Sequence, residues 1–184
     1  MISFSVAVDP NKGIGIKGSL PWHIKEELQV FKRNTMDKHI LMGQTTYDNL
    51  PGKLLGRKII VVSIDPEYKK DDVEVTHDLI KFLQDHQNEE EEYIICGGAS
   101  IYRQAYPYAS KAYVSFIKKE YEVDTRFDIF DLNDWDITKE VDHEEFIERE
   151  LIRKSLNEVE LTKITGGDQH FNNITIGDIS GELY

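Results

Sequence analysis

The sequence is poor in cysteine, in positive charge and in long apolar runs. Its one cysteine, Cys96, excludes an intrachain disulfide and fits a reducing, cytoplasmic setting. No apolar run approaches the roughly 20 residues that cross a bilayer, so no membrane span is expected. The opening stretch MISFSVAVD has no basic region ahead of its apolar residues, and Asp9 ends them. It reads as a first strand, not a secretory leader. Lys and Arg number 22 against 34 Asp and Glu, a net charge of −12. That balance argues against a nucleic-acid surface, and any small anionic ligand must be met by a local cluster of positive charge. The six histidines are scattered with no pair at metal-ligand spacing, so no metal is expected.

What is present fits one soluble domain: 184 residues, 40% apolar and 30% charged. Strand-like runs fall at 2–9, 39–43, 58–63, 73–77, 92–98, 112–117, 135–141 and 146–153, with no internal repeat. Helix-like segments at 24–33, 45–50, 78–86 and 99–106 separate the earlier strands, and Asp78 is a good N-cap for the third. This alternation predicts an α/β fold, a mixed and mostly parallel central sheet flanked by helices. The last two strands have no helix between them, and VDHEE (141–145) reads as a hairpin turn, giving an antiparallel C-terminal edge. The acidic run NEEEE (88–92) reads as a solvated loop. From Ser155 the chain turns polar with little periodicity, so the domain is expected over 1–154, with 155–184 as an extension, either an added hairpin or an ordered tail.

The stretch LPWHIKEELQVFKRNT (20–35) poses a chemical question. Ile24, Leu28 and Phe31 recur at the spacing of one buried helical face, and Glu27 falls on it. Glu26 points elsewhere, with Arg33, toward solvent. A charged group on an apolar stripe is costly unless paired or used. Glu27 therefore either snorkels out at a helix rim or forms the floor of a pocket for a cationic or hydrogen-bond-donating ligand. Two strand-to-helix turns suit phosphate. Gly43 is followed by Thr45 and Thr46, and Gly97-Gly98 by Ala99. Neither is the common dinucleotide fingerprint or a P-loop, and glycine at a strand end also serves plain turn chemistry. The segment NKGIGIKGSLPW reads as a mobile, lid-like loop or a simple surface connection. Lys53, Arg57 and Lys58 gather before a strand, where Arg57 is either a carboxylate clamp or a solvated charge.

Together GIGIKGSLPWHIKEELQVFKRNT, ILMGQTTYDNLP, LLGRKIIVVS, YIICGGASIY, AYVSFI and VDTRF resemble the dihydrofolate reductases, in that family's order, over residues 1 to about 153. The resemblance implies NADPH-dependent reduction of 7,8-dihydrofolate to 5,6,7,8-tetrahydrofolate, hydride going to C6 and a proton to N5. It makes Glu27 the acid that accepts hydrogen bonds from the pterin 2-amino group and N3. Ser115 matches the pocket hydroxyl, and Trp22 the residue holding an ordered water. Ser5, Ala7, Leu28, Phe31, Leu50 and Leu54 match the substrate walls, and Arg57 the arginine that binds the tail carboxylate, with Lys32 nearby. On the cofactor side it implies Ala7, Ile14, Gly15, Gly18, Ser19, Leu20 and Thr125 around the nicotinamide. Gly43, Gln44, Thr45 and Thr46 match pyrophosphate and ribose contacts, as does the turn of Cys96, Gly97, Gly98, Ala99, Ser100, Ile101 and Tyr102, with a cis peptide at Gly97-Gly98. Antifolates such as methotrexate or trimethoprim are expected to bind, and a monomer is the family default. Two places depart from the pattern. Gln44 stands where a basic residue usually meets the 2′-phosphate, and Ile64 follows the retained Ser63, leaving Thr76 or His77 as substitutes. The extension after residue 154 is the other. A related pterin or pyrimidine reductase of similar fold, or a non-catalytic relative, is weighed against by the LPW…E block and by intact Glu27, Ser115, Trp22 and Gly97-Gly98.

Overall fold

The computed structural model describes residues 1–154. The expectation for 155–184 lies outside the described residues.

Strand β1 (Ile2–Val8) is buried along its whole length and runs parallel to two neighbours, β6 (Tyr93–Ile95) and β7 (Lys111–Ile117). A strand covered on both faces reads as a continuous run, yet its two faces differ in size. Phe4 meets Tyr102, Tyr106, Phe127, Phe130 and Trp135 with ring centroids 5.5–6.4 Å apart. The opposite parity is Ser3, Ser5 and Ala7. Ser5 pairs with Tyr113 and Ala7 with Ser115 on β7. Large residues fill the aromatic core on one side, and small ones leave room on the other.

The eight-stranded sheet has the order β5-β4-β3-β6-β1-β7-β10-β9. It includes β3 (His39–Gly43), β4 (Lys58–Val62) and β5 (Glu74–Thr76), which pair in parallel. The hairpin of β9 (Trp135–Asp142) and β10 (Phe146–Arg153) closes the far edge antiparallel. This is the mostly parallel α/β sheet with an antiparallel edge that the alternation predicted. Helix α1 (Lys25–Thr35) buries Glu27, Val30, Phe31 and Thr35. Phe31 joins Ile40, Met42, Ile94, Cys96 and Tyr113 in a second core cluster, backed by Tyr47, Leu50 and Leu54. Helices α2 (Gln44–Asp48), α3 (Leu79–His86, capped by Asp78) and α4 (Ala99–Ala105) follow their strands.

Three details differ from the sequence reading. The glycine-rich segment begins as a strand, β2 (Gly13–Gly15), paired with β8 (Thr125–Arg126) in a small separate sheet. Its three residues are too short for a period-2 signal, and its partner is over a hundred residues away. The acidic run is not wholly solvated. Glu92 accepts from Ser3 Oγ (2.8 Å), Tyr113 Oη (2.8 Å) and Lys38 Nζ (2.9 Å), because it enters β6 where those groups converge. Arg33 lies on the solvent side of α1 as expected, yet its guanidinium folds over to pair with Glu148 on β10.

Candidate active site

Glu27 is 5% exposed. It therefore does not snorkel out at the rim: from the first turn of α1 the side chain turns inward, toward Ser115 on β7. Burial raises its pKa to about 7, and the Ser115 hydroxyl, hydrogen-bonded to it, offsets part of that rise. Trp22 is equally buried, packs edge-on against Tyr121 at 5.5 Å, and its indole Nε1 has no hydrogen-bond partner within the protein. A buried donor without a partner is uncommon and marks a place for water or ligand. In front of the acid lies a cleft of about 320 Å³, lined by Leu20, Trp22, Glu27, Leu28 and Pro51 among others.

A larger hollow of about 970 Å³ adjoins it past Pro51 and is lined by Leu50, Leu54, Arg57 and residues of β4 and β5. Size alone would make it the site, but it contains no buried acid. Arg57 is half-buried there, donates to Thr35 Oγ1 at 3.3 Å, and keeps a buried Nε with no partner. Burial draws its pKa down. Such a guanidinium, part-desolvated and part-satisfied, fits a carboxylate. The structure thus lines up Glu27, an apolar wall of Phe31, Leu50 and Leu54, and Arg57. Lys32 does not join the buried set and lies exposed on α1.

On the other flank the two glycine turns touch, Gly43 N–H donating to Gly97 O at 3.0 Å, and the Gly97-Gly98 peptide is cis. Helix α2 is only five residues long, so its dipole contributes little and the hydroxyls matter more. Thr46 Oγ1 is fully buried without a hydrogen-bond partner, whereas Thr45 is exposed. At α4, Gly98 offers no side-chain cap, leaving first-turn N–H groups for an incoming acceptor. Ser100 takes a hydrogen bond from Gln104 Nε2 at 3.0 Å. Tyr102 is spent on the core: its hydroxyl donates to Ser5 O at 2.7 Å and its ring stacks on Phe127. Its backbone is engaged as well, the N–H donating to Gly98 O at 2.9 Å and the carbonyl accepting from the Tyr106 N–H. Cys96 is fully buried, and burial pushes its thiol well above the usual range, so it is unreactive.

Around the expected 2′-phosphate position four residues meet. Ser63 Oγ donates to Gln44 Oε1 at 2.6 Å, His77 Nδ1 lies 2.9 Å from Ser63 O, and Ile64 stands 96% exposed. Because a carbonyl only accepts, His77 carries its proton on Nδ1. The glycine-rich segment, read as a mobile lid-like loop or a plain surface connection, is tied to the segment around Asp124. Asp124 accepts from Lys17 N–H at 2.9 Å and donates its own N–H to Gly15 O at 3.0 Å, while Thr125 Oγ1 donates to Asp124. Ile14 is buried, and Gly18 takes φ +77° in the turn where Ile16 and Ser19 exchange backbone hydrogen bonds. Asp9 was missed by the sequence reading. It accepts from the N–H groups of Asn11, Gly13 and Tyr121, fastening both ends of this region. Its place at the end of a strand ahead of a turn was the available signal.

A buried acid facing a cleft beside two joined glycine turns is a pattern that known proteins can test. The dihydrofolate reductase family model matches residues 1–161. The chain is 37% identical to the dihydrofolate reductase of Bacillus subtilis over 135 residues, covering 73% of this chain and 80% of that one. It is 38% identical to that of Mycoplasma genitalium over 138 residues, 72% and 86% of the two chains. The chain belongs to the dihydrofolate reductase family. Among solved structures, an Enterococcus faecalis dihydrofolate reductase complexed with NADP(H) and RAB-propyl superposes with a TM-score of 0.75 at 26% identity. The match covers 84% of this chain and 97% of that one. The activity of the family is NADPH-dependent reduction of dihydrofolate to tetrahydrofolate, an oxidoreductase reaction, and its cofactor is NADPH.

Proposed function

We propose that this chain reduces 7,8-dihydrofolate with Glu27 as the group that seats the pterin. The observation that carries the reading is the 5%-exposed Glu27 carboxyl bonded to Ser115 at the back of the Leu20–Trp22–Leu28 cleft. A pterin edge offering an amino group and a ring N–H gives this carboxylate two charge-assisted bonds, which offset the cost of ionising it in a dry pocket. Ser115 fixes the carboxyl plane. Trp22 Nε1 holds a water at the pocket mouth, a route for the proton that N5 takes up. Phe31, Leu50 and Leu54 wall the benzoyl group, and Arg57 clamps the tail carboxylate.

The residues present fit NADPH. The unpartnered Thr46 hydroxyl and the uncapped start of α4 flank the Gly43 and Gly97 contact, where a pyrophosphate is satisfied from both sides. NADPH, when bound, supplies the hydride for C6. The protein holds the two rings together and keeps bulk water out. We place the protein as a cytoplasmic monomer. Its only cysteine is a free, buried thiol, and the edge strand β9 carries Asp136, Lys139 and Glu140, charges that discourage edge-to-edge pairing. Among the described residues no helix is long and apolar enough to cross a membrane.

The test follows nicotinamide absorbance on mixing NADPH with dihydrofolate, with and without methotrexate. Dihydrofolate-dependent, methotrexate-sensitive oxidation is expected. Glu27→Ala, folded but lacking the anchor, should lose tenfold to a hundredfold or more in kcat/KM at neutral pH, about 1.5–3 kcal/mol for one charge-assisted bond. Part of the loss should return at low pH, where substrate arrives protonated. Full activity of Glu27→Ala at pH 7 overturns the assignment, and Glu26→Ala is the silent control.

A further inference from the structure

Behind Ser115 a second buried acid occupies the sheet. Glu148 on β10 is the cross-strand partner of Ser115 on β7 and is 2% exposed. One of its carboxylate oxygens is held by Arg33 of α1, with Lys139 Nζ of β9 at 3.7 Å. The other lies 2.9 Å from His143 Nε2 in the hairpin turn. Burial would raise its pKa, but the His143 hydrogen bond and the Arg33 charge outweigh that and hold it below the usual carboxylate range. Nothing in the pterin chemistry above uses this group.

A crevice of about 10 Å³ runs between α1 and the β7–β10 pair, lined by Ser5, Glu27, Asn34, Ser115, Glu148 and Arg149 among others. That is room for one water, and a water is stable where two to four polar groups surround it, as they do here. The crevice therefore joins the back of Glu27 to Glu148.

We propose that Arg33 and Glu148 form a positioning pair that sets the ionisation of Glu27 through this one-water crevice, Arg33 screening the Glu148 charge from the catalytic acid. The physical reason is the low polarity of the site. Two carboxylates that share a dry crevice oppose each other's ionisation unless a cation neutralises one of them. Arg33 from α1, Lys139 from β9 and His143 from the turn are paired with Glu148, and the other charged or titratable groups lining the crevice are Glu27 from α1, Tyr113 from β7 and Arg149 beside Glu148. Along its own strand, Glu150 is 3.9 Å from Lys111 and so engaged elsewhere. Removing Glu148 takes a negative charge out of the crevice and favours the Glu27 anion. Removing Arg33 leaves the Glu148 charge poorly balanced and disfavours it.

This inference rests on Glu27 as the pterin anchor, but its test needs no turnover. Protein carrying 13C-labelled glutamate side chains is titrated by NMR without ligands, Glu27→Gln identifying the Glu27 signal. The Glu27 midpoint should move down by about one unit in Glu148→Gln and up by a similar amount in Arg33→Met, and stay in place in Arg33→Lys. A purely structural pair would lower the melting temperature in both variants without opposite titration shifts. An unchanged Glu27 midpoint, or shifts of the same sign in both variants, overturns the proposal. Should Arg33→Met fail to fold, the Glu148→Gln shift against the Arg33→Lys baseline decides alone. Loss of dihydrofolate reduction with these shifts intact would count against the pterin reading only.

Discussion

A single carboxyl makes the free protein's stability depend on pH in an unusual direction. Glu27 titrates at about 7 in the fold against an ordinary value of 4.5. Most native carboxylates bind protons less tightly than in the unfolded chain, whereas this one binds more tightly. The folded state therefore holds an extra proton between those values, and stability falls as pH rises through that window, levelling off above about 7. Relative to Glu27→Gln, the ligand-free protein should lose up to roughly 3 kcal/mol between pH 4.5 and 8. Urea midpoints of both proteins across that range check it, and parallel curves would mean that Glu27 is not desolvated. Bound pterin should flatten the difference by favouring the anion. At the cofactor flank, Gln44 sits with Ser63 and His77 where positive charge is expected, and supplies none. The preference for NADPH over NADH should therefore be weaker than is usual for the family. Gln44→Arg should sharpen it roughly tenfold to a hundredfold, chiefly through the KM for NADPH, at about 1.5–3 kcal/mol per contact. The net charge of −12 makes the gain depend on salt. Strong discrimination in the unaltered enzyme, unmoved by Gln44→Arg, would point to His77 as the phosphate donor.

The element that most constrains the site is the short β2–β8 sheet. A Cβ on Gly13 would lie 2.6 Å from Val123 Cγ1 and 2.9 Å from Asp9 Oδ1, the same oxygen that accepts the Gly13 N–H at 2.7 Å. Only glycine fits that junction without displacing Asp9 from its bonds to Asn11 and Tyr121. Gly13→Ala should cost about 1–3 kcal/mol of overpacking and loosen the loop that leads to Leu20 and Trp22. A lower melting temperature together with a raised KM for NADPH is the expected pair of results. A normal melting temperature with normal kinetics would show that the loop repacks freely. The sequence offered three glycines and a span of rapid turns, and mobility was the natural reading. The partner strand at Thr125 and the Asp9 bond to Tyr121 are long-range, and they tie the segment to the rest of the fold.

At the scale of the molecule, the residues assigned above to the pterin and the cofactor come from β1, the segment ahead of α1, α1, α2, α4, β7 and the turns between them, all before Lys154. We therefore expect residues 1–154 alone to remain folded and active. The measurement is the melting temperature and NADPH-dependent reduction of that fragment beside the full chain. An insoluble or inactive fragment would make 155–184 part of the domain. The N-terminal half of the sheet is tied by Lys38, Glu92, Ser3 and Tyr113, and the C-terminal hairpin by Arg153, whose guanidinium donates to Ala109 O at 2.7 Å and lies over the rings of Tyr106 and Trp135. Both ties lie within the fragment.

The sequence by itself determined the order of strands and helices, the antiparallel finish and the inward face of α1, because each is written in local periodicity and in turn residues that act over a few positions. It marked Glu27 by placing a charge on an apolar stripe. The same signal stood at Glu148, a charge at the inward parity of FIERELIR with Phe146, and it was not read, because a short strand with mixed polarity has no clear facing until its partner is known. What only the tertiary structure decided is which groups share a pocket. That Glu27 is buried and not snorkelling, that Glu92 is paired, that Arg33 crosses to Glu148, that Tyr102 serves the core and that Gly43 meets Gly97 all depend on contacts between segments far apart in the chain. Local patterns carry no distance across a fold; packing supplies it, and with it the dielectric and the partners that give each charge its chemistry.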